Sequence, residues 1–146
     1  MAIDIRRVDY YYTTLKDRPG EAYKLLSQLR DLGVNLYAFN AVPEGLIRTQ
    51  LTLFPEVTYE LENAAKEMEI RINGPYPAFL IQGHDEIGAL VHLHERLFLA
   101  NVNVYGASAV VSGEGRYGYI IYISPEEFDR AEEVLDILQE DMVVEY

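Results

Sequence analysis

The chain contains no cysteine. That absence removes disulfides, thiolate metal sites and thiol nucleophiles together. Cationic side chains are sparse as well: twelve Lys and Arg stand against twenty-four Asp and Glu, a net charge of −12. A surface this negative repels phosphate backbones and anionic lipid, which argues against nucleic-acid and membrane-surface partners. No apolar run approaches the roughly 20 residues of a membrane span. The opening Met1-Ala2-Ile3-Asp4-Ile5-Arg6-Arg7 has no apolar core of a signal peptide. The expectation is a soluble, cytoplasmic protein.

What is present is an ordinary globular balance over 146 residues, 49% apolar and 25% charged, close to the size of one domain with a substantial core. Sliding the sequence by 68 positions superposes Asp17 on Asp85, Gly20 on Gly88, Leu25 on Leu93 and Leu29 on Leu97. The same shift pairs Val34 with Val102, Asn35 with Asn103, Tyr37 with Tyr105, Ala41 with Ala109 and Val42 with Val110. Further on the offset becomes 70, and Pro55-Glu56 falls on Pro125-Glu126. The chain therefore reads as a tandem repeat, 1–74 and 75–146, joined by the linker-like Asn73-Gly74-Pro75-Tyr76-Pro77.

Each half reads alike. Tyr- and Thr-rich Val8 to Thr14 and its counterpart Ala78 to Gln82 predict strands. Ala22, Leu25, Leu26, Leu29 and Leu32 recur at helical spacing, as do Leu90, Leu93, Leu97 and Ala100. Asp17 and Asp85 are placed to cap these helices, and Gly33 suits the left-handed end of the first. Strands follow at Val34 to Val42 and Leu46 to Phe54, matched by Val102 to Val111 and Tyr117 to Ile123. Second helices start at Pro55 and Pro125, and short strands at Ile70 to Ile72 and Met142 to Val144 close each half. The predicted fold is α+β: two ferredoxin-like βαββαβ units, each a four-stranded antiparallel sheet with two helices on one face. Tyr37 and Phe39 oppose Val34 and Leu36 on one strand, so neither sheet face is designed for water alone, which predicts an interface.

Chemistry-bearing residues are few. Gly113-Glu114-Gly115-Arg116-Tyr117-Gly118 matches the dinucleotide fingerprint formally, but a strand follows it where a phosphate-binding helix should, so it reads as a hairpin turn. His92 and His94 lie two apart on a helix and point to different faces, which suits structural roles better than chelation. His84 matches Lys16, placing a potential cation beside each helix start, where amides attract anions. None of the four serines sits in a GxSxG elbow. Nine acidic residues between Glu126 and Glu145, opposed by Arg130 alone, read as the solvated face of a helix.

Asp17-Arg18-Pro19-Gly20-Glu21-Ala22, Leu25-Leu26, Leu29 and Leu32-Gly33-Val34-Asn35-Leu36 resemble the opening half of an ACT domain: a strand, a D-x-P-G loop, an amphipathic helix and a Gly-[Val/Ile]-Asn entry to the next strand. The second copy keeps Asp85, Gly88, Val102 and Asn103, with Ile87 in place of the proline and Asn101 in place of Gly33. The resemblance implies a regulatory module that binds a small molecule, most often an amino acid. It places the ligand between the strand-to-helix loop of one unit and the second strand of a neighbour. Carried over, the site residues are Lys16, Asp17, Arg18, Pro19 and Gly20 facing Asn35, and His84, Asp85, Glu86, Ile87 and Gly88 facing Asn103. The expectation is a non-catalytic regulator without cofactor or metal. It would bind an amino acid or similar metabolite, form a homodimer through its sheets, and act in trans on a biosynthetic enzyme or regulator. A small dimeric α+β barrel enzyme and a purely structural dimerisation module are the alternatives.

Overall fold

The computed structural model describes residues 3–86 and 88–144, the last four by their backbone alone. Among these, six strands and four helices alternate as β1 (Asp4–Lys16), α1 (Glu21–Asp31), β2 (Leu36–Glu44), β3 (Arg48–Pro55), α2 (Thr58–Glu67), β4 (Asn73–His84), α3 (Val91–Leu99), β5 (Val104–Val111), β6 (Arg116–Ile123) and α4 (Pro125–Val144). The chain divides into two compact units. Asp9–Tyr76 forms one; the described residues up to Val8 and from Pro77 onward form the other.

In the Asp9–Tyr76 unit the strand order is β2-β3-β1, antiparallel throughout. The two-residue period of the strands sends Tyr11, Leu51 and Leu53 to one face, where they share a cluster with Leu25 and Leu29 of α1 and Leu61 and Ala64 of α2. Along α1 those leucines are four apart, hence on one stripe. The opposite face carries an aromatic group, with Tyr10 5.4 Å from Phe54 and 5.6 Å from Tyr76, and Tyr12 stacked on Tyr76 at 5.7 Å between centroids. Tyr37 and Phe39 of β2 stay exposed.

The other unit repeats the plan with order β4-β6-β5, also antiparallel. Tyr117, Tyr119, Ile121 and Ile123 alternate inward from β6 against Leu93 and Leu97 of α3 and Phe128, Ala131, Leu135 and Leu138 of α4. Phe79 and Phe128 stack almost parallel at 4.4 Å. Ile3 and Ile5 pack against this cluster, and the Ile5 N–H donates to the Gln139 side chain.

Both first helices end in one device. Gly33 has φ +77 and Val34 N–H donates to the Leu29 carbonyl at 2.9 Å; Asn101 has φ +58 and Val102 N–H donates to Leu97 at 2.9 Å. These are Schellman closures, and Asn is among the few non-glycine residues that tolerate the left-handed conformation. The replacement of Gly33 by Asn101 in the second copy is thereby conservative in structure.

Several sequence expectations need correction. Met142 to Val144 form no strand: α4 runs through Val144, because no Gly or Pro interrupts it and Glu126 and Glu127 favour its first turn. Ile70 to Ile72 are irregular, although Ile70 and Ile72 still pack against the core and the Thr13 hydroxyl donates to the Arg71 carbonyl at 2.8 Å. The apparent linker Asn73 to Pro77 is the start of β4. Its Gly74 serves close packing, since a Cβ there would lie 2.8 Å from the Tyr10 carbonyl and the Tyr11 ring. Asp17 and Asp85 cap neither helix: the N-cap of α1 is Gly20 and that of α3 is Leu90, without side-chain hydrogen bonds. The second helix starts at Thr58 rather than Pro55.

Candidate functional site

The strand-to-helix loop of the second copy borders a cavity of about 260 Å³. Asp85 and Glu86 line it, and Gly88, at φ +72, brings backbone to it where no side chain of its own intervenes. Ala89, Leu90 and Val91 at the start of α3 form one apolar wall, and Ala109 and Val111 of β5 form another. Tyr117 of β6 completes the lining; it pairs across the ladder with both Gly83 and Val111 and is 7% exposed. Burial, and after it the charge of Glu86, raises the ionisation of this phenol above the ordinary tyrosine value.

Local backbone bonds fix the loop. Asp85 N–H donates to the Gly115 carbonyl at 2.7 Å, Ala89 N–H to Glu86 at 3.0 Å and Val91 N–H to Gly88 at 3.0 Å. The Gly113–Gly118 run covers the β5–β6 hairpin turn and the first residues of β6, the turn closed by Ser112 N–H on the Arg116 carbonyl at 2.7 Å, with Gly115 at φ +74. The glycine pattern thus serves a turn, and that turn anchors the candidate loop.

Of the residues singled out from the sequence, Asp85, Glu86 and Gly88 meet at this cavity, while Ile87 lies outside the described residues. His84 ends β4 opposite Arg116 and does not line it. Asn103 does not line it either; its backbone N–H donates to Glu127 Oε2 at 3.2 Å. His94 Nε2 lies 2.6 Å from the Tyr119 hydroxyl, joining α3 to β6. Sequence reasoning missed Tyr117 and the β5 residues, because their approach to the loop depends on the β5–β6 register. The sequence marks Tyr117 only as the start of a predicted strand.

The first loop is built differently. Asp17 N–H donates to the Ile47 carbonyl at 2.8 Å, and the Arg18 guanidinium holds Glu21 Oε1 at 2.7 Å. Lys16 ends β1 opposite Arg48, and Pro19 and Gly20, the latter at φ +89, lead into α1, all exposed. The Asn35 amide donates to Glu56 Oε1 at 2.9 Å, and Glu56 N–H returns a bond to the Asn35 carbonyl. Among the described residues no cluster of three or more His, Asp or Glu could hold a metal ion, and no helix is long and apolar enough to cross a membrane.

No family model and no curated protein matches the sequence. Solved structures do. Protein BT0572 from Bacteroides thetaiotaomicron is 16% identical, over 92% of this chain and 90% of its own, with a TM-score of 0.79. The ligand-free regulatory subunit of aspartate kinase from Thermus thermophilus is 17% identical, over 93% of this chain and 95% of its own, with a TM-score of 0.60. The same subunit from Thermus flavus is 16% identical at the same coverage, with a TM-score of 0.59. At these identities the likeness establishes the fold: this chain folds like the aspartate kinase regulatory subunits, and in that fold it resembles a tandem ACT-domain protein.

Proposed function

We propose that the protein is a non-catalytic regulator that binds a small metabolite, an amino acid, in the cavity beside Asp85, Glu86 and Gly88. The observation that carries this reading is the cavity itself, which lies at the loop where the ACT resemblance expects a ligand. Its volume falls just below the usual range of drug-sized pockets, as suits a smaller molecule. The Asp85 and Glu86 carboxylates would take the ammonium group in charge-assisted hydrogen bonds. The Tyr117 hydroxyl and amides at the start of α3 would take the carboxylate, and Leu90, Val91 and Val111 would cover an apolar side chain. The fold shared with proteins named regulatory subunits supports the regulatory role.

In this reading the repeats 1–74 and 75–146 build two ACT-like units, Asp9–Tyr76 and the remaining described residues, each with a four-stranded ferredoxin-like sheet. Residues near Gly74 lie against Tyr10 and Tyr11 in one, and Ile3 and Ile5 against the core of the other, which supports a fourth strand in each. The ends of the strand orders, β2 and β5, expose Phe39 and Val42, and Val110 and Val111, edges suited to a second copy of the chain. A homodimer built on β5 would close the cavity that Ala109 and Val111 line, so ligand would bias assembly and, in the cytoplasm, action in trans on an enzyme or regulator. A thermal-shift screen of the twenty amino acids tests this. A stabilising amino acid whose effect is lost in Glu86→Gln supports it, and the absence of any stabilising amino acid contradicts it.

A further inference from the structure

The two copies differ on the solvent side of their helices. In the unit that continues from Pro77, the end of α3 and the middle of α4 border a groove of about 270 Å³. Arg96, Leu99 and Ala100 line it from one side, and Val134 and Ile137 from the other. Leu99 is 71% exposed and Ile137 47%, so the groove leaves two aliphatic side chains to water. The repeat shows that the fold asks for neither. At the offset of 68 Leu99 falls on Asp31, and at the offset of 70 Ile137 falls on Glu67, both exposed charged residues of α1 and α2. The inward positions stay apolar in both copies: Leu29 matches Leu97, and Ala65 matches Leu135.

Charge changes around the groove as well. Glu95 stands four residues before Leu99, while Glu133 and Glu140 stand four before and three after Ile137. These spacings set each carboxylate beside an apolar residue on the helix surface. All three are exposed, and none joins an ion pair with a described cation. In the first copy the counterparts of Glu95 and Glu133 are the uncharged Ser27 and Asn63. The second copy has thus exchanged charge for an apolar trough and added carboxylates along its banks.

We infer that this groove docks a basic amphipathic helix of a partner protein. Apolar side chains one turn apart seat between Leu99 and Ile137, with Lys or Arg on the flanks against Glu95, Glu133 and Glu140. A helix is the fitting shape, because it offers apolar side chains at i and i+4 with charged neighbours on both sides. The occupant is not a helix of a second copy: α1 and α3 carry as many acidic as basic residues, and α2 and α4 are acidic. Docking here is separate from the loop cavity and from what that cavity binds.

The test is calorimetric titration of the full chain with a synthetic peptide of leucine and lysine, its leucines on one stripe and its length about 18 residues, so that it is helical. The controls are a scramble of the same composition and a leucine–glutamate peptide of the same pattern. The striped basic peptide should bind at least tenfold more tightly than either control, with an affinity that falls as salt rises. Leu99→Asp combined with Ile137→Glu, which installs the residues of the first copy, should remove the preference over the scramble and leave the melting temperature near that of the wild type. Glu133→Gln combined with Glu140→Gln should weaken both basic peptides. Equal binding of the scramble means that charge alone acts, and equal binding of the acidic peptide means that apolar contact alone acts. Either result overturns the inference, as does failure of the striped peptide to bind or an unchanged preference in the Leu99 and Ile137 variant. A marked fall in that variant's melting temperature means that the groove serves the fold, and self-association lost in it means that a second copy fills the groove; both overturn it as well.

Discussion

Gly83 on β4 stands directly opposite Tyr117 on β6, and the phenol ring occupies the space where a side chain on Gly83 would begin. A Cβ there would lie 2.9 Å from both Cε1 and the hydroxyl of Tyr117. The glycine thus fixes how deeply the ring sits under the candidate loop. Gly83→Ala should push the ring into the cavity, weakening amino-acid binding by tenfold or more. The obstructing atoms belong to a side chain that can shift, so the stability cost should be at the low end of about 1–3 kcal/mol. Parallel urea unfolding and ligand titration separate the two effects.

Gly74 presents the harsher case. A Cβ there meets the Tyr10 carbonyl at 2.8 Å, and backbone within a strand has nowhere to go; φ is also +142. Gly74→Ala should cost about 3 kcal/mol or more, lowering Tm by roughly 6–12 °C. Gly33→Ala is the contrast, because its Cβ would meet nothing within 4 Å. It should cost about 1–2 kcal/mol, the left-handed conformation alone. Denaturant midpoints of the two variants check the ranking.

Glu69 ends α2 at φ +57, where Ile70 N–H donates to the Ala65 carbonyl at 3.0 Å. It is the same closure that Gly33 and Asn101 make for the first helices, here without a residue suited to it. Glu69→Gly should therefore stabilise the protein by about 1 kcal/mol. A rise in the urea midpoint at constant slope is the expected result.

Tyr11 and Tyr117 both titrate above the ordinary tyrosine value, chiefly because they are buried, with a nearby Glu adding to each. In the unfolded chain they ionise near pH 10, whereas the folded chain keeps their protons longer. Folding therefore binds more protons than unfolding in that range, and stability falls as pH rises. Their contribution is complete below about pH 10 and is lost progressively as the pH climbs above it. Alkaline unfolding should steepen there, and Tyr117→Phe should flatten it in a pH series of unfolding curves.

Much of this fold is legible in the amino-acid order because the repeat reads it twice. Leucines at helical spacing and strands rich in Tyr, Thr and branched residues recur at an offset of 68 and then 70, and the structure places helices and strands there. What failed depends on contacts distant in sequence. Asn73 to Pro77 has the composition of a linker, yet Gly74 is there because Tyr10 and Tyr11 come close enough to exclude a side chain. Met142 to Val144 mimic a strand locally, but nothing breaks the helix that precedes them. At the loop, Asp85 and Gly88 follow from the repeat, and Glu86 from the ACT resemblance. Tyr117, Ala109 and Val111 reach the same cavity only through strand register, which no local pattern reports.

The proposed regulatory role rests on amino-acid binding at the second strand-to-helix loop. The most direct measurement is calorimetric titration of the best-stabilising amino acid into the wild-type chain, Glu86→Gln and Asp17→Asn, with dimer content followed by sedimentation. We expect saturable binding to the wild type and to Asp17→Asn, a loss of tenfold or more in Glu86→Gln, and a shift in dimer content on saturation. Undiminished binding in Glu86→Gln, or no heat from any amino acid, would contradict it.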